Sequence, residues 1–365
     1  MYLEISRRAL VRNARAVCEY VGVPVIGVVK CDGYGVTIPE AARAWKQAGA
    51  SMFAVARPEE ATVLREAGFR EDILLLSPVA DRETLNRMTA QNVILTVTGF
   101  ENAEFYSIHA AHIPVRVHVA VDTGMGRFGI CWEDAEQLRA IYRLPGFSFE
   151  GIFSHFSSSF EKTFHRTKLQ LNRFSSAVQS LTDAGIDPGI RHMANSCAAL
   201  RFPETRLDAV RIGSALVGRL CVPVPIALER VGVFRAQVVD CKYFRPGDTT
   251  GYASLCRLRR AARAVVVELG QRDGFGLVKA PDKLRLRDLA AWLRHLLRSY
   301  CRAPRVCCGS QELPLIGRVG NQHTLFDATG ADVQPGDWVS WEGDILFPGT
   351  EKRFSDDPAF HPCGR

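Results

Sequence analysis

A lysine closes the first apolar run of this chain, in Val28-Val29-Lys30-Cys31-Asp32-Gly33-Tyr34-Gly35. Lysine is rarely buried unless it is paired or chemically used. Desolvation and neighbouring cations lower the pKa of such an amine and make it a nucleophile able to form a Schiff base. The plainer alternative is a lysine that snorkels to the rim of the fold. Arg211 sits inside another apolar run, Val210-Arg211-Ile212-Gly213-Ser214, either as a structural ion pair or as a fixed cation facing a cofactor or substrate. Backbone N–H groups around Gly213 and Ser214, with the Ser196 hydroxyl, make a candidate phosphate cradle. His155, after Gly151-Ile152-Phe153-Ser154, reads equally well as a catalytic group or as a hydrogen-bonded core histidine. Arg127 completes the set. A Schiff-base lysine, a phosphate cradle and two arginines suggest pyridoxal phosphate, an electron sink for a Cα carbanion whose placement and bases come from the protein.

Such residues need elements that aim them at one point. Apolar runs at 24–30, 51–56, 72–78, 92–97, 115–122, 147–156, 190–195 and 209–216 alternate with amphipathic helical stretches at 38–50, 57–68, 132–144 and 161–185. Several runs are continuously apolar, as in parallel strands buried on both faces. Eight such units over about 220 residues predict an α/β fold, an N-terminal (β/α)8 barrel, in which functional residues lie at the C-terminal strand ends. Lys30, Tyr34, Arg127, His155, Asn195-Ser196 and Arg211 all fall at such positions. A doubly wound open sheet is the competing fold, but its glycine-rich first turn is replaced here by 30–35. Beyond residue 219, apolar runs are separated by turn signals such as Arg245-Pro246-Gly247-Asp248 and Gln334-Pro335-Gly336-Asp337. These predict a C-terminal mostly-β domain over 226–365, after a barrel over 1–225.

The 365-residue chain is 47% hydrophobic with a net charge of +7, which excludes disorder as its main state. No apolar run reaches the roughly 18 residues of a membrane span, and the N-terminus lacks the pattern of a signal peptide. Eleven cysteines, scattered without metal-ligand spacing, read as reduced thiols and place the chain in the cytoplasm. Basic residues from Lys279 to Arg305 predict a helical insert near 280–302 with a solvated face. A nucleic-acid site there is disfavoured by sparse aromatics and the lack of a binding motif.

The chain resembles the alanine racemase family, the fold-type III pyridoxal-phosphate enzymes. The resemblance rests on the segment 28–35, on 122–129, on Gly151-Ile152-Phe153-Ser154-His155-Phe156, on His192-Met193-Ala194-Asn195-Ser196, on Val210-Arg211-Ile212-Gly213 and on Thr250-Gly251-Tyr252-Ala253, in family order. Weaker matches follow at Asp273-Gly274, Gly317-Arg318-Val319 and Gly336-Asp337-Trp338-Val339. It implies that Lys30 carries the cofactor and acts as one base, and that Tyr252 is the opposite base, reaching into the partner subunit's site with His155 hydrogen-bonded to it. It further implies that Arg211 faces the pyridine nitrogen, that Tyr34, Ser196, Gly213 and Ser214 hold the phosphate, and that Asn195 also binds the cofactor. Arg127 would lie by the cofactor phenolate and the substrate carboxylate, with Asn321 on the substrate side. The implied protein is a homodimeric amino-acid racemase with shared sites, making D-amino acids from a small-molecule substrate, without metal, nucleic acid or membrane partners.

The chain departs from the family pattern at Ala120, where many members have a carbamylated lysine. It departs again at Val36-Thr37, Gln271-Arg272 and Gly320-Asn321-Gln322-His323, and lacks the usual tyrosine near Gly349-Thr350-Glu351. Most departures fall on the substrate side, which points to a changed or broader substrate. A fold-type III decarboxylase or aldolase, and a catalytically silent cofactor-binding homologue, remain as alternatives.

Overall fold

The computed structural model describes residues 1–277, 293, 304–346 and 349–356. They form two compact units, Arg7–Val231 and Met1–Ser6 with Gly232–Arg365. The basic insert expected near 280–302 lies outside the described residues apart from residue 293.

The strand β1 (Tyr2–Ser6) belongs to the second unit. In the first, eight parallel strands line up as β2 (Val25–Val28), β3 (Met52–Val55), β4 (Asp72–Leu75), β5 (Val93–Val97) and β6 (Val115–Asp122), with a two-residue β7 (Ile130–Cys131) beside β6, then β8 (Phe147–Phe153), β9 (Ile190–His192) and β10 (Val210–Ile212). The sheet runs β10-β2-β3-β4-β5-β6-β8-β9, and a parallel bridge from His192 to Ala209 closes the ring. This is the (β/α)8 barrel. All residues of β2, β3 and β5 are buried, because each strand has barrel interior on one face and helices on the other. Ile26, Val28, Met52, Ala54, Leu74, Ile94 and Ala209 fill part of the interior, and Tyr34 and Leu76 pack against that cluster.

The helices are shorter than their amphipathic stretches because local capping trims them. Asp134 accepts the Gln137 N–H, which starts a helix at Ala135 and not at Trp132. The helix Ile38–Gln47 lays the fully buried Trp45 on β2, where a Cβ at Gly27 would stand 2.7 Å from Trp45 Cγ. Glycine at that position lets the helix approach the strand that leads to Lys30.

The second unit is a mostly antiparallel sheet. Its strands are β1, β11 (Gly232–Phe244), β14 (Ala262–Val267), β15 (Arg305–Cys308), β16 (Gln311–Ile316), β17 (Thr324–Asp327), β18 (Trp338–Trp341) and β19 (Lys352–Ser355), with a small β12–β13 ladder (Thr249–Thr250, Cys256–Arg257) apart. The order is β14-β17-β16-β15-β18-β11-β1-β19, and a further β14–β11 pairing joins the sheet back on itself. The N-terminal strand differs from expectation. It pairs Leu3 with Phe234 and Ile5 with Gly232, burying both apolar side chains in the β unit, so the barrel begins at Arg7 and ends at Val231. Cysteine chemistry differs too: Cys307 is disulfide-bonded, while Cys197, Cys221 and six other described cysteines are free thiols. Among the described residues no helix is long and apolar enough to cross a membrane.

Candidate active site

Lys30 does not end its strand. β2 stops at Val28, and the chain then enters a left-handed turn with φ of 55° at Cys31, 50° at Asp32, 64° at Gly33 and 56° at Tyr34. Three of these are not glycine, and left-handed backbone costs such residues roughly 1–2 kcal/mol each. The surroundings hold the turn in place. Gly33 N donates to Val29 O at 3.0 Å and Thr37 N to Asp32 O at 2.9 Å. The Glu60 carboxylate accepts the N–H groups of Cys31 and Ala56 at 2.8 Å and of Arg57 at 3.1 Å. Strain concentrated in one turn puts both of its chemical side chains, Lys30 and Tyr34, on the wall of a single cavity of about 230 Å³.

The same cavity is lined by Arg127, His155, Asn195, Ser196, Arg211, Gly213 and Ser214. Every barrel residue expected at the site is therefore on its wall, at the C-terminal ends of the strands. Arg211 is only 4% exposed, and its contacts organise the floor. Its Nη1 donates to His192 Nδ1 at 2.6 Å and His192 O at 3.0 Å, and its Nη2 donates to Ser154 O at 2.6 Å and His155 Nδ1 at 3.2 Å. Its guanidinium carbon lies 5.0 Å from the Phe153 ring centroid. Burial and then Arg127 lower its pKa to about 9, still well above neutrality.

His192 Nε2 in turn meets His118 Nδ1 at 2.9 Å. A guanidinium only donates, so His192 Nδ1 must accept, its Nε2–H donates, and His118 Nδ1 accepts. All three rings are neutral. Burial and the Arg211 charge hold His118 and His155 down to about 3 and His192 well below its ordinary value, with Arg127 and Lys30 adding to the effect on His155. His118 and His192 are buried neighbours of the site; His118 was missed in the sequence, and His192 was read only as part of the 192–196 segment, with no role of its own. The one available signal for His118 was a polar residue at a buried position of an apolar strand.

The phosphate-cradle residues also meet. Gly213 N donates to Ser196 Oγ at 3.3 Å. A Cβ at Gly213 would stand 2.3 Å from the Tyr34 hydroxyl, so only glycine leaves that hydroxyl its place. Burial, then the Cys31 and Glu60 charges, hold the Tyr34 phenol well above its ordinary value, which keeps it a donor. Asn195 has a further job: its Oδ1 caps the helix Ser196–Arg201 by accepting from Ala198 N at 3.0 Å and takes the Ser159 hydroxyl at 2.9 Å. Arg127 is exposed, 5.8 Å over the Phe128 ring, and buried Ala120 offers it no polar group.

Tyr252 and Asn321 belong to the second unit. Tyr252 opens the short helical turn Tyr252–Ser254, after Gly251. Asn321 lines a separate, wider cavity of about 1350 Å³ with Gly251, Gln271, Arg318 and His323.

The chain is similar to known proteins over most of its length. The family model for "Alanine racemase, N-terminal domain" matches residues 5–220. The alanine racemase of Desulfosudis oleivorans is 32% identical over 332 residues, covering 86% of this chain and 80% of its own. That of Clostridium tetani is 30% identical over 357 residues, covering 94% and 86%. Among solved structures, alanine racemase from E. faecalis matches with a TM-score of 0.81 at 25% identity, covering 97% of this chain and 98% of its own. The Bacillus anthracis alanine racemase with bound L-Ala-P matches at 0.77 and 27%, covering 98% and 86%. With a family model matched over residues 5–220 and relatives at 30–32% identity aligned over most of both chains, the chain belongs to the alanine racemase family.

Proposed function

We infer that this chain is a pyridoxal-phosphate-dependent racemase that interconverts the L and D forms of alanine or a related amino acid. The observation that carries this reading is one cavity at the C-terminal strand ends whose wall includes Lys30, Tyr34, His155, Ser196, Arg211 and Gly213 together. The cofactor fits the donor set. Lys30 would hold it covalently, and the Tyr34 and Ser196 hydroxyls with the Gly213 and Ser214 amides would hold its phosphate. Arg211 commits its four terminal hydrogens to protein acceptors, which leaves Nε–H for a ring nitrogen. A donor that keeps its own proton leaves that nitrogen unprotonated. Pyridoxal phosphate, when bound, supplies the electron sink for a Cα carbanion.

Racemisation needs a base on each face of Cα. Lys30 Nζ moves the proton on one face, and Tyr252 of the partner subunit moves it on the other, so activity requires a homodimer. His155 offers Nε2–H to the partner's Tyr252 oxygen, while Arg127 orients the substrate carboxylate. A cytoplasmic address fits the prevalence of free thiols. Borohydride reduction of the cofactor-loaded protein, followed by peptide mass mapping, tests the assignment alongside chiral chromatography of alanine. The expected result is pyridoxyl mass on Lys30 and conversion of either enantiomer to a racemate. Mass on another lysine, or no conversion of any amino acid, would overturn it.

A further inference from the structure

Cys197 directly follows Ser196 and lines the active-site cavity, whereas Cys221 follows the turn in which Arg219 N donates to Ser214 O at 3.1 Å. The two sulfurs stand 3.9 Å apart, and both are free thiols. Cys221 is exposed and Cys197 half-buried, so an oxidant arriving from solvent meets Cys221 first. Burial, and then Cys221, push the Cys197 thiol up to about 12, which disfavours it as the first attacker. The pair therefore joins the two segments that flank the Gly213 amide, one from each side of the cradle.

We propose that Cys197 and Cys221 are a redox pair that forms a reversible disulfide between the Ser196 and Ser214 segments. With hydrogen peroxide as oxidant, Cys221 sulfur attacks one peroxide oxygen, the O–O bond breaks, and water leaves. The Cys221 sulfenic acid is then attacked by Cys197 sulfur, the S–O bond breaks, and a second water leaves. Two thiols are oxidised and one peroxide is reduced. The sulfurs close from 3.9 Å to about 2.0 Å. That movement draws Cys197 and the adjoining Ser196 hydroxyl, which accepts the Gly213 N–H, toward the Ser214 segment. The bond is independent of the cofactor assignment, while its effect on phosphate binding rests on that reading. Transient disulfides of this kind are the form in which cytosolic proteins use redox chemistry.

The test is mass mapping of the full chain as purified, treated with limiting hydrogen peroxide, alkylated and digested without reductant. The expected product is a new cross-linked peptide joining Cys197 to Cys221, lighter by two hydrogens, reversed by dithiothreitol and formed in preference to any other peroxide-induced pair, the Cys307 disulfide being present before treatment. Cys197→Ser should leave Cys221 as a sulfenic acid captured by dimedone, and Cys221→Ser should abolish the cross-link. Oxidation of Cys221 to sulfinic acid without cross-linking in the unaltered chain would overturn the proposal. Equal yields of links to the exposed Cys31 or Cys131 would do the same. Failure to bind pyridoxal phosphate would leave this readout untouched, so the two readings fail separately.

Discussion

Arg211 Nη2 stands 3.2 Å from His155 Nδ1, and this contact decides the tautomer of the histidine. Because a guanidinium has only donors, Nδ1 accepts and the ring proton sits on Nε2. His155 thus presents a donor, which is what a tyrosine oxygen acting as a base needs beside it: a hydrogen bond that favours its ionised form. One buried arginine therefore sets the electrostatics of the floor and also orients the ring proposed to assist Tyr252.

The neutral histidines make acid stability a property of this floor. His118 and His155 are held near about 3 and His192 is also depressed, against an unfolded value of about 6.5. Between those limits the unfolded chain binds more protons, so stability is fully present above about pH 6.5 and declines as pH falls through the window. His118→Gln keeps an acceptor for His192 Nε2–H and removes one titrating ring. The expected fall in Tm from neutral pH to about pH 5 is smaller by several degrees in that variant; an identical fall, followed by calorimetry, would contradict a neutral relay.

Gly213 is the tightest point of the cradle. Gly213→Ala would bring a Cβ within 2.3 Å of the Tyr34 hydroxyl. The ring must shift, at a cost of about 1–3 kcal/mol. Retention of pyridoxal phosphate in equilibrium dialysis should weaken by roughly tenfold or more, since about 1.4 kcal/mol is tenfold. Unchanged retention would remove Tyr34 and Gly213 from the cradle.

Glu60 anchors the strained turn from outside the cavity. Glu60→Gln replaces a carboxylate whose two oxygens accept three N–H groups with an amide that keeps one acceptor and turns its NH2 toward the N–H groups on the other side. Stability should fall by about 1.5–3 kcal/mol in urea unfolding, with reduced borohydride trapping on Lys30. Glu59→Gln, at a carboxylate 72% exposed beside Arg87, should change stability by less than about 1 kcal/mol. Equal effects of the two substitutions would contradict the anchoring role.

The barrel was legible because its buried strands are continuous apolar runs, and the site because Lys30, His155, Arg211 and Gly213 interrupt or end such runs. The full left-handed turn was not, since Asp32 and Gly33 signal a turn but Cys31 and Tyr34 are not residues that announce positive φ. β1 escaped because its partners lie more than 220 residues away, at Phe234 and Gly232, and pattern alone does not show long-range pairing. The His118–His192 contact, 74 residues apart, was hidden for the same reason.

The most direct measurement is Cα proton exchange in deuterated water, read by chiral chromatography and mass spectrometry over a panel of L- and D-amino acids. Alanine or a related amino acid should invert with deuterium at Cα. In Tyr252→Phe, inversion should collapse while one enantiomer still exchanges with retention through Lys30. No exchange on any amino acid with cofactor bound, or undiminished inversion in Tyr252→Phe, would contradict the two-base account.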